Sequence, residues 1–380
     1  MPDLLRSASQ ALTTFLRGNA PRILVVKQDV NEDLYCCPPD ADTPTLISST
    51  LLRTGPVSLF TDHAADFRMV QTVDDLECQI WQERATALQW DSLEFYASYR
   101  DRVPGRDYGQ KRWSVSPESI DFNKYDIVIS NDVCIPKRIT QQYPHVLWCY
   151  YVREIKAPSY RQSLIAPAAG QDVVLNHHFR LQPAVAATHV LEFPYHLQRP
   201  GCFHKLFAQP QPSFSDRDGV FVDHHTMIQL SAEQRNRLQT FGPVVSTIHH
   251  GEREVIPTSE SLARRTMDDD LKQRLLNSRY FMITPGQRLV FGTAMVEAIA
   301  AGCLVIGSPQ SLGRHAFMFT EETSASDAAE AVEKMTSLNN NQETANAERI
   351  RQQQLVEYLC YTRPMNHLIE AWQRKLASAN

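Results

Sequence analysis

The chain lacks the patterns that mark several large protein classes. Its eight cysteines are scattered apart from the pair Cys36-Cys37, and none forms a Cys-x-x-Cys. Reduced thiols are therefore expected, not a disulfide framework or a cysteine metal site. No apolar run reaches the roughly 20 residues that a membrane-spanning helix needs, and no charged-then-apolar leader opens the sequence. These absences predict a cytoplasmic protein, with peripheral contact at the inner face of the membrane left open. Basic residues are not in surplus: 38 Lys and Arg stand against 43 Asp and Glu, giving a net charge of −5. There is no global electrostatic case for nucleic acid as a partner. No internal repeat or low-complexity segment is evident.

What is present is an ordinary globular composition, 43% hydrophobic and 21% charged, in 380 residues, a length that holds two α/β domains. Short apolar runs alternate with helical lengths. Strands are predicted at Ile23 to Val26, Val57 to Phe60, Phe67 to Val70, Tyr125 to Ser130, Val146 to Val152 and Val173 to Leu175. The second half repeats the pattern, with strands at Gly219 to Val222, Val244 to Ile248, Tyr280 to Ile283 and Leu304 to Ile306. Helices are predicted at Ser231 to Gln239, Ser261 to Arg279, Thr293 to Ala301 and Asp327 to Met335, with Ser326 or Asp327 as N-cap. The tail from Ala345 to Ala377 reads as almost wholly helical, broken near Pro364. Strands separated by helices imply parallel sheets with crossovers, and binding sites in such sheets lie at the carboxyl ends of the strands. That singles out Lys27 to Glu32, Asn131-Asp132, Arg153-Glu154 and Asn176 to His178.

The densest signal runs from Tyr280 to Pro309. A buried strand is broken by Pro285 and Gly286, a small-residue helix follows, and Gly302 is its stop signal before a second buried strand. Free backbone N–H groups at a helix N-terminus after a Gly-containing loop are a natural phosphate site. Glu297 lies one turn into that helix among Met295, Val296, Ala298 and Ile299, all apolar, where a carboxylate can reach a ribose hydroxyl.

This stretch resembles the nucleotide-sugar site of GT-B glycosyltransferases, especially the large retaining group with a Glu-x7-Glu motif. Phe291-Gly292 matches the Phe-Gly pair of that motif, and Glu297-Ala298 with Ala300-Ala301-Gly302 matches its second half. The resemblance implies that Glu297 binds the donor ribose. It also places Leu289 where relatives carry the first Glu, the contact to the donor sugar. Gly286, Gln287, Arg288, Phe291, Gly292 and Thr293 would line the nucleotide and diphosphate, with Arg253 or Lys205, neither of which matches a motif, as a substitute for the family's basic pair. The usual place of that pair holds the loop Asp223-His224-His225-Thr226, without glycine or a residue of fixed positive charge. In the first domain the turn Gln28 to Glu32 has no glycine. Arg153-Glu154 stands where many retaining relatives have a His. Glu154 and His178 are the candidate catalytic groups; an ion pair of Glu154 with Arg153 or Lys156 is the plainer alternative for the first.

The implied architecture is α/β, two Rossmann-like domains facing a cleft, with C-terminal helices crossing back to the first. Residues 1–205 form the acceptor domain, 206–345 the donor-nucleotide domain and 346–380 the helices packing across both, with a hinge in the Pro-rich link Pro200 to Pro212. The implied activity is transfer of a sugar from a nucleotide-sugar donor to a glycan, lipid-linked or protein acceptor, with retention of configuration. Neither metal nor cofactor is expected. A non-catalytic GT-B-like binding protein and a nucleotide-sugar epimerase are the alternatives. Three further features read as structural. Asp268-Asp269-Asp270 lies in a polar helical run, Tyr99 to Trp113 is a loop with mixed Arg, Lys and aromatic residues, and Leu4, Leu5, Leu12, Phe15 and Leu16 form an amphipathic face.

Overall fold

The computed structural model describes residues 20–28, 34–35, 45–46, 56, 59, 65–70, 115–131, 133, 135–152, 170–176, 189–194, 211–222, 224–246, 269–283 and 293–379. The predicted features at 1–19, 99–113 and 200–210 lie outside them.

The described residues form two Rossmann-like units, each on a parallel sheet. In the first, β1 (Ile23–Gln28) lies between β4 (Asp66–Val70) and β5 (Ile127–Asn131). The sheet then continues through β6 (Leu147–Val152), β7 (Val173–Asn176) and β8 (His189–Glu192). A separate two-stranded ladder joins β2 (Leu34–Tyr35) to β3 (Thr45–Leu46), antiparallel. A parallel sheet is covered on both faces, so its strands are largely apolar and the two-residue alternation sorts them by face. Val25, Ile127, Ile129, Leu147, Cys149, Val173 and Leu175 lie on one face. Leu24, Val26, Val128 and Trp148 lie on the other, over Phe122 and Ile139.

The second sheet orders β10 (Val244–Ser246), β9 (Asp218–Val222), β11 (Ser278–Ile283) and β12 (Leu304–Gly307). Phe221 and Phe281 stack at 5.8 Å on one face. That face is covered by α5 (Thr293–Ala301) and α7 (Gln342–Glu357). On the other face, α6 (Ala328–Asn340) buries Ala328, Ala331, Val332, Met335 and Leu338, one stripe at helical spacing. Asp327 caps α6 by accepting from the Glu330 N–H. The short helices are α1 (Lys137–Thr140), α2 (His224–Gln229), α3 (Ala232–Leu238) and α4 (Asp269–Asn277).

The C-terminal tail crosses back. After α7 the chain passes through a π-helical turn, Tyr358–Thr362, into α8 (Arg363–Ala379). Met365, Leu368, Ile369 and Ala371 of α8 are buried in the core of the first sheet. Lys375 pairs with Asp172 there, and Asp172 also accepts from the Trp148 N–H at 2.9 Å.

Several sequence expectations are corrected. Leu59 is helical and not part of a strand, because the turn opened by Pro56 draws its N–H onto the Pro56 carbonyl at 3.0 Å. His224 to Thr226 begin α2 and are not a loop. Ser278 and Arg279 open β11 and do not end the preceding helix: Ser278 pairs with Asp218, while its hydroxyl donates to the Arg274 carbonyl. The break near Pro364 is the π turn before it; Pro364 itself sits in the first turn of α8, where its missing N–H is tolerated. Strand β8 and the 3-10 segment Pro309–Met318 were not foreseen.

Candidate functional site

Each sheet has a point where the direction of strand addition reverses, and ligands of open parallel sheets bind at the carboxyl ends of the strands there. In the second sheet the chain adds β10 on one side of β9 and then β11 on the other. The reversal falls between β9 and β11, and the helices that leave those two strands are α2 and α5. Their N-termini present backbone N–H groups that have no helical partner. Glu297 is on α5, four residues after its first residue. Every other residue from Met295 to Ala301 is no more than 2% exposed and apolar; Glu297 is the exception in kind and is itself only 7% exposed. Gly302 ends the helix with φ of 94°.

In the first sheet the chain adds β4 beside β1 and then β5 on the other side, so the reversal falls between β1 and β5. Lys27 and Asn131 are register partners at the carboxyl ends of those strands. Asn131 pairs in turn with Tyr151 of β6. Alternation puts all three on the face that α8 covers. Lys27 is fully buried, Asn131 and Tyr151 are each 2% exposed, and the Asn131 side-chain oxygen is buried without a hydrogen-bond partner. A buried ammonium beside a buried amide makes a costly polar row in an apolar sheet. Sequence reasoning named Lys27 and Asn131 only as strand ends. Tyr151 falls within the predicted strand Val146 to Val152, with no site role.

A second polar cluster joins the two units. Glu192, the last residue of β8, has one carboxylate oxygen 3.0 Å from His315 Nε2 and the other 3.0 Å from an Arg363 guanidinium nitrogen. His315 belongs to the 3-10 segment after β12 and is 4% exposed; Arg363 opens α8. One carboxylate thus holds the end of the first sheet to two elements that follow the second. On α8, burial together with the Arg363 charge lowers the pKa of His367 from 6.5.

Of the residues expected to act, Thr293 and Glu297 lie in the described part of the chain, on the helix that leaves the reversal point of the second sheet. Glu154, His178, Arg253, Gly286, Gln287, Arg288, Leu289, Phe291 and Gly292 lie outside it. Among the described residues, no group of three or more His, Cys, Asp or Glu side chains is placed to hold a metal ion. No helix among them is long and apolar enough to cross a membrane.

No protein-family model matches the sequence, and no curated protein matches it either. Solved structures are similar in fold. An α-glucosyltransferase in complex with UDP and a DNA is 9% identical over 93% of this chain and 99% of its own, with a TM-score of 0.42. Anabaena Alr3699/HepE in complex with UDP is 11% identical over 94% of this chain and 100% of its own, also at 0.42. T4 phage BGT in complex with UDP and Mn2+ is 9% identical over 92% and 99%, at 0.40.

Proposed function

We propose that the chain is a GT-B glycosyltransferase that moves a sugar from a nucleotide-sugar donor to a hydroxyl-bearing acceptor. The observation that carries this reading is Glu297: a buried carboxylate, among residues that are otherwise apolar from Met295 to Ala301, on the helix that leaves the reversal point of the second sheet. It is also the residue that the Glu-x7-Glu resemblance assigns to the donor ribose. The donor diphosphate would lie over Gly292-Thr293, where helix N–H groups supply compensating partial charge without a metal. Charge develops on the leaving phosphate in the transition state, so these groups would act on the step itself.

The acceptor would enter over Lys27 and Asn131. An ammonium donates and an amide oxygen accepts, the pairing that reads a hydroxyl group. Glu154 and His178 remain the candidates for catalytic groups of the first domain. Residues 1–205, 206–345 and 346–380 are the proposed domain limits. Retention of configuration follows from the resemblance. Leu289, in place of the sugar-binding Glu, implies a donor that lacks a hydroxyl at that edge, or weak selectivity there.

Saturation-transfer NMR with a panel of nucleotide sugars, followed by product analysis with a mixed glycan acceptor pool, tests this. Binding with release of nucleotide and a glycosylated product is the expected result. Binding with an inverted sugar centre and no transfer would identify an epimerase, and binding with no turnover a non-catalytic receptor. No saturation transfer from any nucleotide sugar would overturn the reading.

A further inference from the structure

At the amino-terminal end of the second sheet, opposite its reversal point, three arginines gather around one 3-10 turn, Phe214–Asp216. Arg217 follows the turn directly and donates its backbone N–H to the Phe214 carbonyl. Arg279, at the start of β11, donates to the Ser215 carbonyl at 3.1 Å and lies over the Phe214 ring, its guanidinium carbon 6.0 Å from the centroid. Arg349, from α7, lies over the same ring at 5.8 Å. None of the three has a carboxylate partner among the described residues. Arg217 reaches only the Pro212 carbonyl, Arg279 also reaches Asn339, and Arg349 reaches the amide oxygens of Asn346 and Gln353. The acid on the turn, Asp216, is taken up by Ser213 and Ser215.

The cost of this arrangement is visible in the burial. Arg217 is 2% exposed, and one of its terminal nitrogens is buried with no hydrogen-bond partner. The Nε of Arg279 is likewise buried and unpartnered. Burial lowers the pKa of Arg217, and the nearby Arg349 charge lowers it further; burial does the same to Arg349. Like charges brought together in a partly desolvated place destabilise the fold unless an anion joins them. Guanidinium groups present planar donors that fit phosphate oxygens in pairs.

We propose that Arg217, Arg279 and Arg349 form an anion site for a phosphate group, distinct from the nucleotide-sugar site at the other end of α5. The site is independent of the proposed transfer activity.

The test is thermal unfolding and calorimetry of the full chain with inorganic phosphate, against sodium chloride at equal ionic strength. Phosphate is expected to raise the melting temperature by about 1–3 °C beyond the chloride control. Arg279→Gln and Arg349→Gln should each weaken phosphate binding by about fivefold or more, and should melt no lower than wild type without phosphate, because each removes an uncompensated charge. Phosphate binding should persist in the presence of saturating UDP, which separates this site from a donor diphosphate site. Co-sedimentation with phosphatidic acid vesicles, and none with phosphatidylcholine vesicles, would assign the phosphate to a lipid headgroup. Binding of free phosphate without co-sedimentation would assign it to a soluble ligand. Absence of both phosphate and vesicle binding, or phosphate binding that survives both arginine substitutions, would overturn the proposal.

Discussion

Gly302 shows how one residue can be fixed by two constraints at once. Its φ of 94° lies in the region L side chains avoid, and a Cβ there would lie 2.5 Å from an Arg217 nitrogen. Gly302→Ala is therefore expected to cost about 1–3 kcal/mol, read as a lower urea midpoint with an unchanged m-value. The glycine was legible in the sequence as a helix stop, because it follows a run of small residues and precedes a short apolar run. Glu297 was legible for a related reason: a lone charge in an apolar stretch needs a purpose. Arg217 was not. It stands in a polar segment between Ser, Asp and Gly, where nothing in one dimension separates a buried arginine from a solvated one. Lys27 is a middle case. Its place at a strand end was readable, but its complete burial depends on β5, α8 and the neighbouring strands, which only the fold brings together.

Among the elements, β12 is an edge strand, and an edge presents unpaired backbone groups. The fold covers Val305 with Gln352 of α7, whose side-chain amide accepts from the Val305 N–H at 2.9 Å and donates to its carbonyl at 2.8 Å. Gln352 is fully buried and so replaces a neighbouring strand at that position. Gln352→Leu would leave both backbone groups dry and unpaired, at a cost of about 2–4 kcal/mol. Equilibrium unfolding checks this; a loss below about 0.5 kcal/mol would mean that water reaches the strand. The element pattern itself was largely legible, since buried parallel strands are apolar runs and α5 has a clear start and stop. Where reading failed, the cause was local. Strand β8, His-Val-Leu-Glu, is short and bounded by polar residues, and β11 begins on Ser-Arg, which helical periodicity had claimed for the helix before it.

For the whole molecule, α8 is the link to test. Met365, Leu368, Ile369 and Ala371 of this last helix bury their side chains in the core of the first sheet, although the chain has just left the second. Glu192 adds a polar tie to His315 and Arg363. Truncation after Arg363 should expose that face, lower the melting temperature and increase the scattering radius; an unchanged radius and melting temperature would show that the first unit is complete without the helix. The crossing was legible as a long helical tail, but its landing place on β6 and β8 was not, because a helix's apolar stripe does not name its partner.

The central claim is that a nucleotide sugar binds at the reversal point of the second sheet through Glu297. Calorimetric titration of wild type and Glu297→Gln with the nucleotide sugar that gives saturation transfer tests it most directly. Losing a charged hydrogen bond to the ribose should weaken affinity by about 1.5–3 kcal/mol, roughly 10- to 150-fold, with the fold unchanged by circular dichroism. Equal affinity in a folded Glu297→Gln protein would contradict the account.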